Sequence, residues 1–186
     1  MNTGCYPVCK FAVTPTGLPA ACVTGRCRGS GTMAPMPRNP HARIEIDAPL
    51  DRVWEVMLDT ASYGEWNPFV LRADCAAPRV GEPITLHVRF ANGSTATSPE
   101  QITALDEPST GEDGVRRALL AYRYEGLPAK LRLVQGVRDQ RLTQAPGGPT
   151  VYDTVERFSG PLVRLAGPAR VEDGFRRHAQ ALKERA

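Results

Sequence analysis

The chain is short of several things, and each shortage removes a class of explanation. No apolar run in its 186 residues approaches the ~18 that a helix needs to cross a bilayer. That excludes an integral membrane protein. Acidic residues are missing from the first 40 positions, which hold Lys10, Arg26, Arg28 and Arg38. Of 23 Lys and Arg these four sit in the head, leaving 19 against 20 acids in the rest of the chain. The net charge of +3 thus belongs to the head alone. A nucleic-acid binder concentrates its basic excess on the folded domain, so no nucleic-acid partner is expected.

Cysteine is nearly absent beyond the head. Cys5, Cys9, Cys22 and Cys27 lie within it and Cys75 alone lies outside. The spacings C-x3-C and C-x4-C are irregular for a zinc knuckle, and neither metal nor disulfide is expected. The longest apolar stretch of the head, Leu18 to Val23, is short and contains Pro19. It is no signal-peptide core, which points to a cytoplasmic protein. Prolines at 7, 15, 19, 35, 37 and 40 would interrupt any helix there. Residues 1–40 are therefore set apart, either as a disordered extension or as leader upstream of a start at Met33 or Met36.

Catalytic motifs are also missing. There is no nucleophile elbow, no H-E-x-x-H and no phosphate-binding loop. Gly29-Ser-Gly31-Thr-Met-Ala34 spells a dinucleotide fingerprint but follows no strand and opens no helix. His41, His87 and His178 are far apart, none with a ligand partner at helical spacing. No metal site and no cofactor are expected.

What is there begins with Ala42-Arg-Ile44-Glu-Ile46, alternating and β-branched, a strand. Asp47-Ala-Pro49 stops it, and Pro49 suits a helix start. Leu50, Val53, Trp54, Met57 and Leu58 then give one helix an apolar face. A second short helical stretch, Thr60 to Tyr63, closes at Gly64. Strands follow at 69–73 and 84–90, where Ile84, Leu86, Val88 and Phe90 alternate with polar residues. Further strands are predicted at about 96–105, 115–124, 131–142 and 150–158, joined by hairpins with no helix between them. A helical segment from Ser159 breaks at Gly167-Pro168, and a longer helix resumes at about Val171. Phe175, His178, Ala179 and Leu182 share one of its faces. Strand, helix pair, six strands, long helix is an α+β order that excludes a parallel doubly wound sheet.

Ile46-Asp-Ala-Pro49 with Val53-Trp54, followed by Tyr63-Gly-Glu-Trp66-Asn-Pro-Phe69, resembles the opening of START-like (SRPBCC), polyketide cyclase/dehydrase proteins. Glu156-Arg-Phe158-Ser-Gly160 and a terminal helix with Phe175 and Leu182-Lys183 resemble their closing segment. The resemblance covers 41–186. It implies a helix-grip fold, a seven-stranded curved antiparallel sheet wrapped around a long C-terminal helix, with two short helices after strand 1. It also implies a hydrophobic cavity. Many relatives carry a His and an aromatic residue in the sixth strand, where this chain reads Val137-Arg-Asp-Gln-Arg141.

Within that frame, Trp66, Phe69, Leu86, Val88, Phe90, Tyr122, Tyr124, Phe158, Phe175, His178 and Leu182 are the expected ligand-contacting residues. No catalytic residue is assigned. His178, on the helix face turned to the sheet, and Glu156 are the candidates, since either group can move a proton from an apolar site. The direction of Glu156 is open. It shares parity with Tyr152, Thr154 and Phe158, but Val151 and Val155 favour the opposite face. Three functions compete. The first is binding of a small hydrophobic molecule, lipid-like or polyketide-like, by a monomer or homodimer. The second is a polyketide cyclase or dehydratase using His178 and Glu156 together. The third is a protein-interaction module, which would need an exposed apolar patch.

Overall fold

The computed structural model describes residues 39–186, so the readings made for most of the head fall outside it. Strand β1 (His41–Ile46) leads through Pro49 into helix α1 (Leu50–Leu58). Leu50, Val53, Trp54 and Met57 are buried along its inner face, as their spacing requires, and Val56 widens it. A single 3-10 turn (Thr60–Ser62) and the short helix α2 (Tyr63–Trp66) carry the chain to the far edge of the sheet. The rest is β2 (Val70–Asp74), β3 (Pro83–Arg89), β4 (Thr95–Thr110), β5 (Arg116–Tyr124), α3 (Leu127–Lys130), β6 (Gln135–Gln144), β7 (Thr150–Ser159), α4 (Val163–Ala166) and α5 (Pro168–Arg185).

The seven strands form one antiparallel sheet in the order β1-β7-β6-β5-β4-β3-β2. Breaks in register at Ile102/Ala104 and Asp106/Ser109 interrupt the β4–β5 pairing, and such bulges bend and twist a sheet. The long helix α5 packs on β1 and against α1 and α2, and the fold is the helix grip.

Several boundaries differ from the sequence reading. Gly64 lies inside α2 (Tyr63–Trp66) instead of closing the helical stretch, and Ser159 ends β7 while the helical segment expected from it begins at Val163. A short helix, α3, stands between β5 and β6 where a plain hairpin was expected, and β6 begins at Gln135 rather than 131. Pro128 lies in the first turn of α3, where proline is favoured, and Arg132 beyond it takes a positive φ of 55°, which ends any extended run. Strand β4 reaches Thr110, five residues past the expected end. Helix α5 begins at Pro168, not Val171. Gly167, at φ 66°, turns the chain out of α4 and directly into it.

The core joins the concave face of the sheet to α1 and α5. Ile46, Leu50, Ile84, Ile102, Leu120, Leu142, Tyr152 and Leu182 are essentially inaccessible. Each fully buried aliphatic side chain contributes about 1.5–3 kcal/mol. Gly174 on α5 lets the helix approach the ring of Phe69, since a Cβ there would overlap it. Among the described residues no helix is long and apolar enough to cross a membrane.

Candidate functional site

A cavity of about 350 Å³ lies between the concave face of the sheet and the first half of α5. Its apolar walls come from Phe69, from Leu86 and Val88 on β3, from Phe90 after it, and from Phe158, Val171 and Phe175. Leu133, Val134, Leu162 and Leu165, at the joints on either side of β6 and β7, complete them.

The polar groups of this cavity are placed by strand register. On β7 it is Tyr152 and Thr154 that are fully buried while Val151 and Val155 are not. The inward face therefore continues through Glu156 to Phe158, and both line the cavity. Arg138 on β6 lies directly opposite Glu156, and Tyr122 on β5 lies opposite Arg138. Glu100 on β4 faces Tyr124 on β5. Glu100, Arg138 and Glu156 thus meet on one stretch of the concave face.

They do not neutralise one another by contact, because no ion pair joins Arg138 to either carboxyl among the described residues. Arg138, 5% exposed, donates from Nε to Thr154 Oγ1 at 3.0 Å and from Nη2 to the Tyr152 hydroxyl at 3.3 Å. Its guanidinium lies 4.0 Å from the centroid of the Phe175 ring, a favourable cation–π position. The Tyr152 hydroxyl in turn donates a hydrogen bond to Gln140 Oε1 at 2.8 Å. Burial works against the charge of Arg138, but Tyr152, Glu100, Tyr122 and Glu156 outweigh it and hold the guanidinium protonated.

The carboxyls respond in the opposite sense. Burial first, and the neighbouring charge of Glu100 second, push Glu156 up to about 8 against the pull of Arg138. Gly136, opposite Phe158 on β6, leaves the space that the Glu156 carboxyl occupies. Glu100 is raised by burial as well, partly offset by a 2.9 Å hydrogen bond from Ser98 Oγ and by Arg138. Near neutral pH the cavity therefore presents a fixed cation beside a protonated carboxylic acid.

Phe69, Leu86, Val88, Phe90, Tyr124, Phe158, Phe175 and Glu156 line this cavity. Trp66, Tyr122, His178 and Leu182, expected beside them, do not line it. His178 is buried one turn further along α5, among Tyr63, Trp66 and Tyr152. Its role follows from Asn67. Asn67 Oδ1 accepts from the backbone N–H groups of Phe69 (3.0 Å) and Val70 (2.9 Å). Its amide nitrogen must then donate to His178 Nδ1, 2.7 Å away, and the ring proton sits on Nε2, which has no partner among the described residues. Burial and then Arg138 hold the imidazole well below its ordinary range, so it stays neutral. His178 fastens α5 to the α2–β2 turn through Asn67 and lies outside the cavity that Glu156 lines. Leu182 is plain core, fully buried, and Trp66 packs edge-on against Tyr63.

Arg138, Glu100 and Ser98 went unnoticed as site residues in the sequence. The signal for Arg138 was parity, since it shares the inward face of β6 with Gln140 and Leu142, both buried. Glu100 likewise shares parity with buried Ile102 on β4.

No curated protein sequence matches this chain. Several solved structures share its fold. The aromatase/cyclase Zhui from Streptomyces sp. R1128 superposes with a TM-score of 0.54 at 19% identity, over 78% of this chain and 91% of that one. The di-domain aromatase/cyclase BexL from the BE-7585A biosynthetic pathway gives 0.58 at 16% identity over 80% of this chain. The match spans only 49% of BexL, about half its length. Norcoclaurine synthase from Thalictrum flavum, in complex with dopamine and hydroxybenzaldehyde, gives 0.52 at 13% identity, over 78% of this chain and 84% of that one. At these identities the likeness is one of fold. The family model described as polyketide cyclase/dehydrase and lipid transport matches residues 40–186, and the chain belongs to that family.

Proposed function

We propose that this protein binds one small, largely hydrophobic molecule in the cavity, with the polar end of that molecule against Arg138 and Glu156. One observation carries this reading. The 350 Å³ cavity is walled by apolar side chains, yet a buried guanidinium faces it with no carboxylate partner. The volume lies at the small end of ligand pockets, about 300–1,000 Å³. A buried cation with no carboxylate in contact among the described residues is costly, and a ligand oxygen bearing negative charge relieves that cost with a charge-assisted hydrogen bond. Glu156, protonated below about 8, donates to the same oxygen. The fitting ligand is thus an aromatic or aliphatic molecule with a carboxylate, phenolate or enolate at one end. Titrating the protein with 1-anilinonaphthalene-8-sulfonate and competing with small aromatic carboxylic acids tests this. Saturable one-to-one displacement is expected. An absence of uptake, or equal competition by the uncharged methyl esters, would overturn it.

A second reading, turnover of a polyketide-like substrate, is favoured by a separate observation. Glu156 keeps its proton near neutral pH inside an apolar cavity, the property required of a general acid. Glu156→Gln should then abolish turnover while leaving binding within a few-fold. A variant that keeps full turnover would exclude the assignment.

A further inference from the structure

The edge of the cavity has an unusual surface. Residues 126–134, which hold α3, and residues 160–170, which hold α4, both border the cavity through Pro128, Leu133, Leu162 and Leu165. They are joined by a hydrogen bond from Leu162 N–H to the Leu133 carbonyl at 3.0 Å. Gly160, at φ 112°, keeps the two backbones close, since a Cβ there would lie 2.5 Å from the Leu133 oxygen. On this joined rim sit most of the exposed large hydrophobic residues of the described chain. Leu165 is 73% exposed, Leu127 69%, Leu131 58% and Leu162 40%. Four leucines on one rim are an unusual load of exposed apolar surface for a folded domain.

The charges of the rim have a single sign. Lys130, Arg132, Arg164 and Arg170 are all exposed, and neither segment contains an acidic residue. None of the four forms an ion pair among the described residues. Arg170 leans over Phe90, a cavity wall, with 4.8 Å from guanidinium carbon to ring centroid. Apolar side chains interleaved with unpaired cations around a cavity mouth match the interfacial region of an anionic bilayer, where leucines enter the acyl boundary and basic groups meet phosphates.

We propose that this rim docks on anionic phospholipid membranes with the cavity mouth turned to the bilayer, so that a hydrophobic ligand passes between lipid and cavity. Charge excludes the other occupants within the same polypeptide. The head carries Lys10, Arg26, Arg28 and Arg38 and no acid, so its sequence offers the rim no counter-charge. A second copy docking through the same face would oppose four cations to four. The docking stands apart from the proposed ligand, and only the exchange of ligand rests on that reading.

The test is cosedimentation of the full chain with phosphatidylcholine vesicles and with vesicles of phosphatidylcholine and phosphatidylglycerol. Two double variants accompany it, Leu127→Ser with Leu131→Ser and Lys130→Gln with Arg164→Gln. None of these four residues lines the cavity, and the basic head is unchanged in both. The wild type should bind the anionic vesicles only, and less at higher salt. The charge variant should lose about 25-fold, from roughly fivefold per basic residue at an anionic surface, and the leucine variant at least about tenfold. Uptake of 1-anilinonaphthalene-8-sulfonate without vesicles should be unchanged in both. Equal binding to neutral vesicles, or wild-type binding by both variants, would overturn the proposal. So would loss in the charge variant alone together with competition by polyglutamate, which would assign the rim to an acidic protein. Failed dye uptake with intact vesicle binding would leave the docking standing and sink only the ligand exchange.

Discussion

Helix α5 serves two regions of the molecule that treat their polar groups in opposite ways. Toward its C-terminus, His178 and Leu182 close a solid core in which Asn67 satisfies two backbone N–H groups and one imidazole nitrogen. Toward its N-terminus, Phe175 and Val171 border an open cavity in which, among the described residues, Glu156 has no side-chain hydrogen bond and Arg138 no ion pair. At the closed end Asn67 and His178 Nδ1 hold the chain together, with only His178 Nε2 and Trp66 Nε1 buried without a partner among the described residues. Polar groups at the open end are held by the chain and kept available.

The sharpest way to test that division is Asn67→Ala at the closed end. It strips partners from Phe69 N–H, Val70 N–H and His178, and should destabilise by at least about 3 kcal/mol. By calorimetry that is a fall in Tm of roughly 10 °C for a domain of this size, with ligand uptake unaltered well below the transition. Arg138→Met at the open end should show the reverse. Affinity for an aromatic carboxylate should fall about 10–100-fold in a fluorescence titration, the worth of a charge-assisted hydrogen bond, with a smaller change in Tm. If both variants lost stability and uptake together, the two regions would be one.

The ends should also titrate oppositely. Glu156 has a folded-state pKa of about 8, above the ordinary 4.5. Its contribution is therefore fully present below about 4.5 and is lost as pH rises through about 8. Glu156→Gln should remove that alkaline decline from a plot of Tm against pH. His178 is lowered in the folded state from 6.5, so its contribution holds above about 6.5 and is lost as pH falls below it. His178→Leu should flatten the acid limb, at the cost of leaving the Asn67 amide unpaired. A wild-type profile with no acid limb would show that His178 is not held neutral.

The element order was legible in the sequence because strands and helices announce themselves by period, and the apolar stripe of α1 sits where its spacing requires. The site was half legible. Helical spacing gave the angular position of His178 on α5 correctly, since it is buried against the sheet. Period says nothing about how far along the sheet a residue sits, and that distance separates a cavity wall such as Phe175 from a core clamp such as His178. On β7 the rule of apolar residues facing inward misleads. Tyr152, Thr154 and Glu156 face in while Val151 and Val155 face the other way, because the inner face carries a polar network and a cavity instead of close-packed aliphatics. Arg138 and Glu100 were missed for the same reason. A charged residue is assigned to solvent unless its strand neighbours, here Leu142 and Ile102, show which face is buried.

The pairing of β1 with β7 has a consequence for how the chain is made. Arg43 and its neighbour Asp153 across that pairing are 110 residues apart, so the first of the described strands to be made waits for the last of them. At about 5–20 residues per second that interval is roughly 5–20 s. Throughout it β1 exposes both its backbone edges, and Ile46 has none of its core neighbours on β7. Closure of so long a loop is a late, slow step in topologies of this kind, and an emerging chain would need β1 shielded until β7 arrives.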